Sequence, residues 1–329
     1  MSRSEVTVII PVWNGRTLLE TLFERLRAQT WPIAEIVVMD NGSSDGSAEA
    51  AECAGARVIR MGRNAGFSRA VNRGIESSRS EWLAIMNTDV EPAADWLERL
   101  VEAAAQSGAW FATGKILQAL HKDRLDGTFD VLCRGASSWR AGHGRPDGPA
   151  FSQRRPIRSA PMTAGLFRKE LFTRIGSLDE RFESYLEDVE FGLRCALAGM
   201  AGEYVPEAVA WHVGSATLGA WSPQMVAHIS RNQLLLAAKY FPARWIWHIM
   251  VAQGLWGLLA LRHGAVCAWL GGKTAALREM RSVRRPGVDA KAVRTVVEEG
   301  ESEIYHIQAK TGFDAYWRWY FFLTRGGTG

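Results

Sequence analysis

Cysteine is scarce in this 329-residue chain, and the four present, Cys53, Cys133, Cys195 and Cys267, stand far apart with no C-x-x-C pair. That spacing argues against both a zinc knot and a disulfide framework. Long apolar runs are missing too. The first, Val6 to Ile10, meets Pro11 at once and is too short for a signal peptide, so a reducing cytoplasm is the expected home. Basic blocks interleaved with aromatics are absent, and a formal charge of +4 is mild, so nucleic acid is not an expected partner. No G-x-G-x-x-G follows the first strand pattern, which argues against an NAD-type site. Gly271-Gly272-Lys273-Thr274 has the tail of a phosphate loop, but Cys267 stands where the leading glycine belongs and no strand precedes it.

What is present supports a real core: 47% of residues are hydrophobic, enough for one large domain with an appendage or for two modest ones. The organising stretch is Trp82-Leu83-Ala84-Ile85-Met86-Asn87-Thr88-Asp89-Val90, a short apolar run that stops in three polar residues. Such a run is the mark of a strand buried on both faces, and in an open α/β sheet ligands gather beyond the strands' carboxyl ends. Asp89 is therefore a candidate site residue, although Asn, Thr and Asp also favour plain turns. Val6 to Ile10 and Ile36 to Met39 repeat the pattern, ending in Pro11-Val12-Trp13-Asn14-Gly15 and in Asp40-Asn41-Gly42-Ser43-Ser44-Asp45-Gly46. Between them a helix is expected from about Thr17, with Thr17-x-x-Glu20 as a capping box and Leu18, Leu19, Leu22, Phe23 and Leu26 as its buried face. A third strand near Arg57 to Arg60 and a helix through Ala70, Val71 and Ile75 precede the Asp89 strand. Strand and helix alternate, which predicts a doubly wound parallel sheet with the polar strand ends on one edge.

Three segments, Val8-Ile9-Ile10-Pro11-Val12-Trp13-Asn14-Gly15, Ile36 to Gly46, and Arg63-Asn64-Ala65-Gly66-Phe67-Ser68-Arg69-Ala70-Val71-Asn72-Arg73-Gly74, resemble the family 2 glycosyltransferases of the GT-A fold. Within that family the likeness is to bacterial rhamnosyltransferase-like enzymes, over about residues 5–235. It implies a GT-A domain over 1–224, with a nucleotide-sugar half at 1–117, a catalytic and acceptor half at 160–224, and a helical tail at 225–329. It also implies that Pro11, Val12, Asn14, Asp40, Asn41, Arg63, Asn64, Gly66, Phe67, Asn72, Asn87 and Thr88 hold a UDP- or dTDP-sugar. Asp40 would accept the imide N–H of uracil or thymine, and Arg63 would add charge for the diphosphate.

The family's metal motif is Asp-x-Asp, whereas this chain has Asn87-Thr88-Asp89. By the resemblance Asp89 and His212 are the metal ligands for Mg2+ or Mn2+, with one anionic ligand fewer than usual. Glu187 and Asp188 resemble the catalytic carboxylates at a helix start. Neighbouring helix residues do not share a face, so one of them, taken here as Asp188, would be the base for an inverting transfer. A segment over about 118–159, rich in Gly, Arg, Asp, Pro and Ser, is expected to be a long, partly mobile loop at the site entrance.

After about Met225 the composition turns to tryptophan, leucine and arginine: Trp245, Trp247 and Trp256 lie between Arg244 and Arg262, and Arg278, Arg281, Arg284 and Arg285 follow. The stretch is too interrupted to span a bilayer, so it is expected to lie at the inner face of the cell membrane against anionic lipid. A packed helical tail or a homo-oligomer interface would use the same residues. The resulting expectation is an inverting glycosyltransferase that moves a sugar, rhamnose first, from a dTDP- or UDP-donor to a glycan or lipid-linked acceptor in cell-surface polysaccharide assembly. Its rivals are a sugar-nucleotide-binding module without turnover and a nucleotidyltransferase.

Overall fold

The computed structural model describes residues 4–214, 221–283 and 285–325. It divides into two compact units, Met1–Phe129 with Arg140–Thr217 and Asp130–Trp139 with Leu218–Gly329. Arg284 of the basic segment lies outside the described residues.

The first unit opens with β1 (Val6–Val12), α1 (Arg16–Arg27), β2 (Glu35–Asp40), α2 (Ser47–Cys53), β3 (Arg57–Arg60), α3 (Phe67–Ser77) and β4 (Trp82–Met86). The four strands pair in parallel in the order β3-β2-β1-β4. Side chains alternate across β1, so its two faces meet different helices. Val8 and Ile10 join the core that holds Leu19, Leu22, Phe23 and Leu26 of α1. On the opposite face Gly74 of α3 sits so close to Ile9 that an added Cβ would lie 2.5 Å from its side chain.

Two local expectations fail here. The strand does not stop at Ile10 but runs through Pro11 to Val12. Pairing with β4 ends at Ile9, while β2 continues to pair as far as Val12, so proline lacks an N–H where one neighbouring strand has already left. The capping box is also absent. Thr17 lies inside α1, whose N-cap is Gly15 with no side-chain cap of its own. The amides there are met from across the loop instead, Arg16 N–H by Asp45 at 3.0 Å and Gly15 N–H by Ser47 at 3.1 Å.

The unit continues with β5 (Val90–Pro92), α4 (Trp96–Ser107), β6 (Phe111–Gln118), β7 (Leu125–Gly127), β8 (Asp130–Leu132), β9 (Ser138–Arg140), β10 (Arg155–Ile157), β11 (Ala164–Arg168), α5 (Lys169–Ile175), α6 (Glu187–Leu197) and β12 (Gly202–His212), with β8 and most of β9 grouped with the second unit. The sheet extends as β4-β11-β6-β12-β10, with β11 antiparallel to both β4 and β6. It is therefore mixed, though mostly parallel among its longer strands. The loop expected over 118–159 is instead built from four short strands and a 3-10 turn. Three-residue strands carry too little periodicity to stand out among Gly, Arg and Pro.

Two irregularities aim side chains at one corner of the sheet. The β12–β6 register jumps between Val205 and Val209, and Ala208 O packs onto Gly114, where a Cβ would lie 1.8 Å away. Past the jump, His212 pairs with Val90 of β5, and Val213 N–H donates to Asp89 O. On the neighbouring edge β7 pairs Gly127 with Ile116 and Leu125 with Leu117, which leaves Asp126 as the extra residue of a bulge.

The second unit contains α7 (Pro223–Tyr240), α8 (Ile246–Arg262), α9 (Val266–Glu279), α10 (Ala290–Thr311), α11 (Ala315–Arg325) and the β8–β9 hairpin. Glu301, whose side chain is 2% exposed, fastens the hairpin to α10. It pairs with the Arg134 guanidinium and accepts the Arg134 N–H at 3.0 Å and the Tyr320 hydroxyl at 2.6 Å. Gly272 of α9 meets Ala227 O of α7, and Lys273 turns inward to donate to Ser230 O and Gln253 Oε1. That inward turn removes Lys273 from any phosphate role. Among the described residues no helix is long and apolar enough to cross a membrane.

Candidate active site

The first cluster of expected site residues is built at the carboxyl ends of β1 and β2. Asp40, the last residue of β2, is 4% exposed, and its Oδ1 accepts the Ser43 N–H at 3.0 Å. No protein donor among the described residues reaches Oδ2, which leaves an acceptor for an imide N–H. Asn14, at φ 51°, ties the two strand ends together by accepting the Ser44 N–H at 2.8 Å and donating its own amide to Ser43 at 3.0 Å. Pro11 and Val12 lie beside Met39 and Asp40 in the parallel register. Asn41 holds the next loop: its Oδ1 accepts the Ala65 N–H and its amide donates to Gly66 O. Arg63 is exposed, and its backbone lies so close over Gly42 that a Cβ there would stand 2.8 Å from the Arg63 Cα. Asn64 accepts the Gly66 N–H, which shapes the turn into α3.

Asn72 departs from the expected donor role. Its buried side chain is engaged with Leu178, donating to the carbonyl and accepting the N–H, both at 2.9 Å. Gly66 and Phe67 likewise touch the segment before α6: Gly66 packs on Glu183, Phe67 N–H donates to Ser184 Oγ, and Ser68 N–H donates to Glu183 O. The loop before α3 and the segment before α6 are thereby fixed to each other. The backbone there is strained, with Glu183, Tyr185 and Leu186 all at positive φ, a conformation that side chains with a Cβ rarely adopt.

At the end of β4, Asn87 donates its N–H to Thr163 O, and Thr88 is buried beside Gly15. Asp89 Oδ1 stands 3.2 Å from His212 Nε2, and His212 Nδ1 stands 3.0 Å from Asp126 Oδ2. Burial opposes a charge on this ring, but the hydrogen bonds to Asp126 and Asp89 outweigh it and raise the His212 pKa to about 9. Burial likewise works on Asp126, yet the imidazole beside it lowers its pKa. Two ligand atoms on one octahedral ion stand about 3 Å apart, so the Asp89 to His212 spacing fits adjacent positions on Mg2+ or Mn2+. Among the described residues no group of three His, Cys, Asp or Glu surrounds one point, so diphosphate oxygens and water would have to complete the set.

At the start of α6, Asp188 Oδ1 accepts the Val189 N–H at 2.8 Å. Its Oδ2 accepts the Met162 N–H at 3.4 Å and lies 3.6 Å from an Arg140 nitrogen. Arg140 also donates to Thr163 and contributes to the lowered pKa of Asp126, so one guanidinium stands between the α6 carboxylate and the His212 pair. Its stem crosses Gly127, where any Cβ would lie 2.2 Å from it. Glu187 is buried, and burial first, then the charges of Glu187 and Asp89, push Tyr185 up to about 12. Tyr185 thus senses both the strand-end carboxylate and the helix-start carboxylate. Sequence reasoning missed Asp126, Arg140 and Tyr185. The alternation Leu125, Gly127, Phe129, Val131 was a faint signal for the strand that carries Asp126.

A family model described as Glycosyl transferase family 2 matches residues 7–175, and one described as Glycosyl transferase family group 2 matches residues 156–321. N-acetylglucosaminyl-diphospho-decaprenol L-rhamnosyltransferase of Mycobacterium tuberculosis is 28% identical over 286 residues, which cover 78% of this chain and 92% of that protein. Pre-mycofactocin glycosyltransferase of the same organism is 25% identical over 309 residues, covering 89% of this chain and 62% of that one. Among solved structures, GalNAc-T7 with UDP, GalNAc and Mn2+ aligns with a TM-score of 0.65 at 14% identity; 94% of this chain is covered but only 58% of that one. The mannosyltransferase PcManGT from Pyrobaculum calidifontis, with GDP-Man and Mn2+, aligns with a TM-score of 0.54 at 16% identity, covering 97% and 86%.

Proposed function

The chain belongs to glycosyl transferase family 2 and is a glycosyltransferase of the GT-A fold, and from that premise we propose an inverting transfer of a sugar from a dTDP- or UDP-donor to a lipid-linked glycan in cell-surface polysaccharide assembly. Rhamnose is the first sugar to test, in keeping with the 28% identity to a rhamnosyltransferase whose name specifies a diphospho-decaprenol acceptor. Work on such an acceptor would put the protein at the inner face of the cell membrane.

The observation that carries the reading is the meeting of strand-end Asp89 with His212 at 3.2 Å, with Tyr185, just before α6, feeling the charge of Asp89 as well as that of Glu187. In the proposed reaction Asp188 Oδ2 takes the proton of the acceptor hydroxyl. The oxygen forms its bond to the anomeric carbon as the bond to the diphosphate breaks on the opposite face. The hydrogen bonds from Met162 and Val189 orient that carboxylate. Asp40 recognises the pyrimidine, and the exposed Arg63 faces the diphosphate, with Arg140, which is already engaged with Asp188 and Thr163, as a further nearby cation. A divalent ion held by Asp89 and His212 would supply further charge stabilisation for the leaving group. Asp126 fixes the tautomer and orientation of His212.

The test is hydrolysis and transfer against a panel of sugar nucleotides, with a polyprenyl-diphosphate sugar as acceptor. Preferred turnover of dTDP-rhamnose supports the full reading. Preference for another pyrimidine donor changes the sugar alone, and binding without turnover of any donor would make the chain a sugar-nucleotide-binding module.

A further inference from the structure

The second unit carries most of the exposed large apolar side chains in the protein. On α8 they are Ile246, Trp247, Met250, Leu258 and Leu261, and the last four are spaced so that they share one side of the helix with exposed Gly254. Ala252, Gln253 and Ala260, which point away from that side, are buried. The sequence alone gave no role to the final aromatic segment. The structure brings it to α8: Trp247 Nε1 donates to Leu323 O at 3.1 Å, so α11 lies alongside and adds Trp319, 54% exposed, and Phe322, 68% exposed.

Charge accompanies this face. Between Arg244 and Arg285 the chain has six arginines, besides the inward-turned Lys273, and one acid, Glu279, which is itself paired with Arg231. Arg244 precedes Trp247 by one turn and Arg262 follows Leu258 by one turn, so the α8 stripe has a cation at each end. On α11, Arg318 precedes Phe322 by one turn, and Arg325, one turn after it, stacks on Tyr305 and Phe321. A helix crossing a bilayer would have to bury one end. A helix lying flat leaves both ends at headgroup depth, where arginine meets anionic lipid and tryptophan is at home. A second copy of the chain would instead bring two cationic rims together.

We propose that α8 and α11 together form one docking face for an anionic lipid bilayer, lying flat at its surface. The inference rests on the membrane location proposed above and deepens it, but it makes no use of the catalytic assignments. The apolar part belongs to both helices and is indifferent to salt, whereas the arginine part is screened by it.

The experiment is sedimentation of the full chain with vesicles of phosphatidylcholine alone and with about one-third phosphatidylglycerol, at low and high salt. The wild type should bind the anionic vesicles and be partly released by salt. Trp319→Ser with Phe322→Ser should weaken binding roughly tenfold at either salt concentration. Arg244→Glu with Arg262→Glu should remove the preference for anionic vesicles. All four side chains are exposed, and unchanged hydrolysis of a soluble donor by each variant checks that the fold and active site survive. Absence of wild-type binding would overturn the proposal, as would full binding by the α11 variant. A dimer in solution that the α11 variant splits would overturn it in favour of a second copy. Loss of catalysis on every donor with vesicle binding intact would count against the glycosyl-transfer reading and not against this face.

Discussion

Asp126 Oδ2 lies 3.0 Å from His212 Nδ1, on the side of the ring away from Asp89. The relationship depends on a single extra residue in β7, which turns a carboxylate out of the strand pairing and towards the imidazole. A carboxylate in that position makes Nδ1 the hydrogen-bond donor and leaves Nε2 to face Asp89 and any cation there.

Asp126→Asn should therefore weaken Mn2+ binding by roughly 10- to 100-fold, the usual scale for losing a partner behind a ligating histidine. Calorimetric titration of Mn2+ in the presence of UDP reads this directly. Equal affinity in the variant would reduce Asp126 to a packing residue. No Mn2+ binding by the wild type would instead remove the metal site itself.

The substitution of Asn87 for a family carboxylate makes a separate prediction. With one anionic ligand fewer, the wild type should require millimolar Mg2+ or Mn2+, and Asn87→Asp should lower the half-saturating concentration by about tenfold. Full activity after exhaustive chelation would assign the diphosphate to Arg63 and Arg140.

Asp188 is held by the Met162 and Val189 amides and faces Arg140. Asp188→Asn keeps the shape of the site but cannot take a proton. Transfer should fall by roughly two orders of magnitude while UDP affinity stays within about twofold. Should Glu187→Gln lose transfer and Asp188→Asn retain it, the two carboxylates exchange roles.

Lys273 makes a prediction about stability. Its ammonium donates to neutral oxygens, Ser230 O and Gln253 Oε1, and burial lowers its pKa from 10.5 to about 7. Between those values the unfolded chain holds a proton that the folded chain does not, so this residue makes stability rise with pH through that window. Below about pH 7 the folded chain carries the charge buried, and the cost is greatest. Lys273→Met should stabilise the helical unit more at pH 6 than at pH 9.5, measured as protection of α7 and α9 amides from exchange. A gain independent of pH would mean that the lysine reaches water when charged.

How much of this was legible in the sequence can be argued from particular residues. Asp40 and Asp89 could be placed because each follows a buried apolar run, and a parallel sheet carries such ends to one edge. His212 and Asp188 could be proposed only through ordered motifs that resemble a known family, since one histidine and a pair of acids have no spacing of their own. Asn72 misled for the same reason: its place in the motif says nothing of which backbone its amide meets, and the fold gives it to Leu178.

The sequence by itself determined the alternation of strands and helices in the first half, the polar strand ends, the missing carboxylate at Asn87 and the change of composition near Met225. These are local properties, written in periodicities of two and 3.6 residues and in residue chemistry. Only the tertiary structure decided that β11 runs antiparallel between β4 and β6, that a bulge turns Asp126 onto His212, that Arg140 crosses Gly127 to reach Asp188, and that α11 lies beside α8. Each of those joins segments distant along the chain through register, a bulge or close backbone packing. Such contacts are chosen by how whole elements fit together, and no short stretch of sequence contains them.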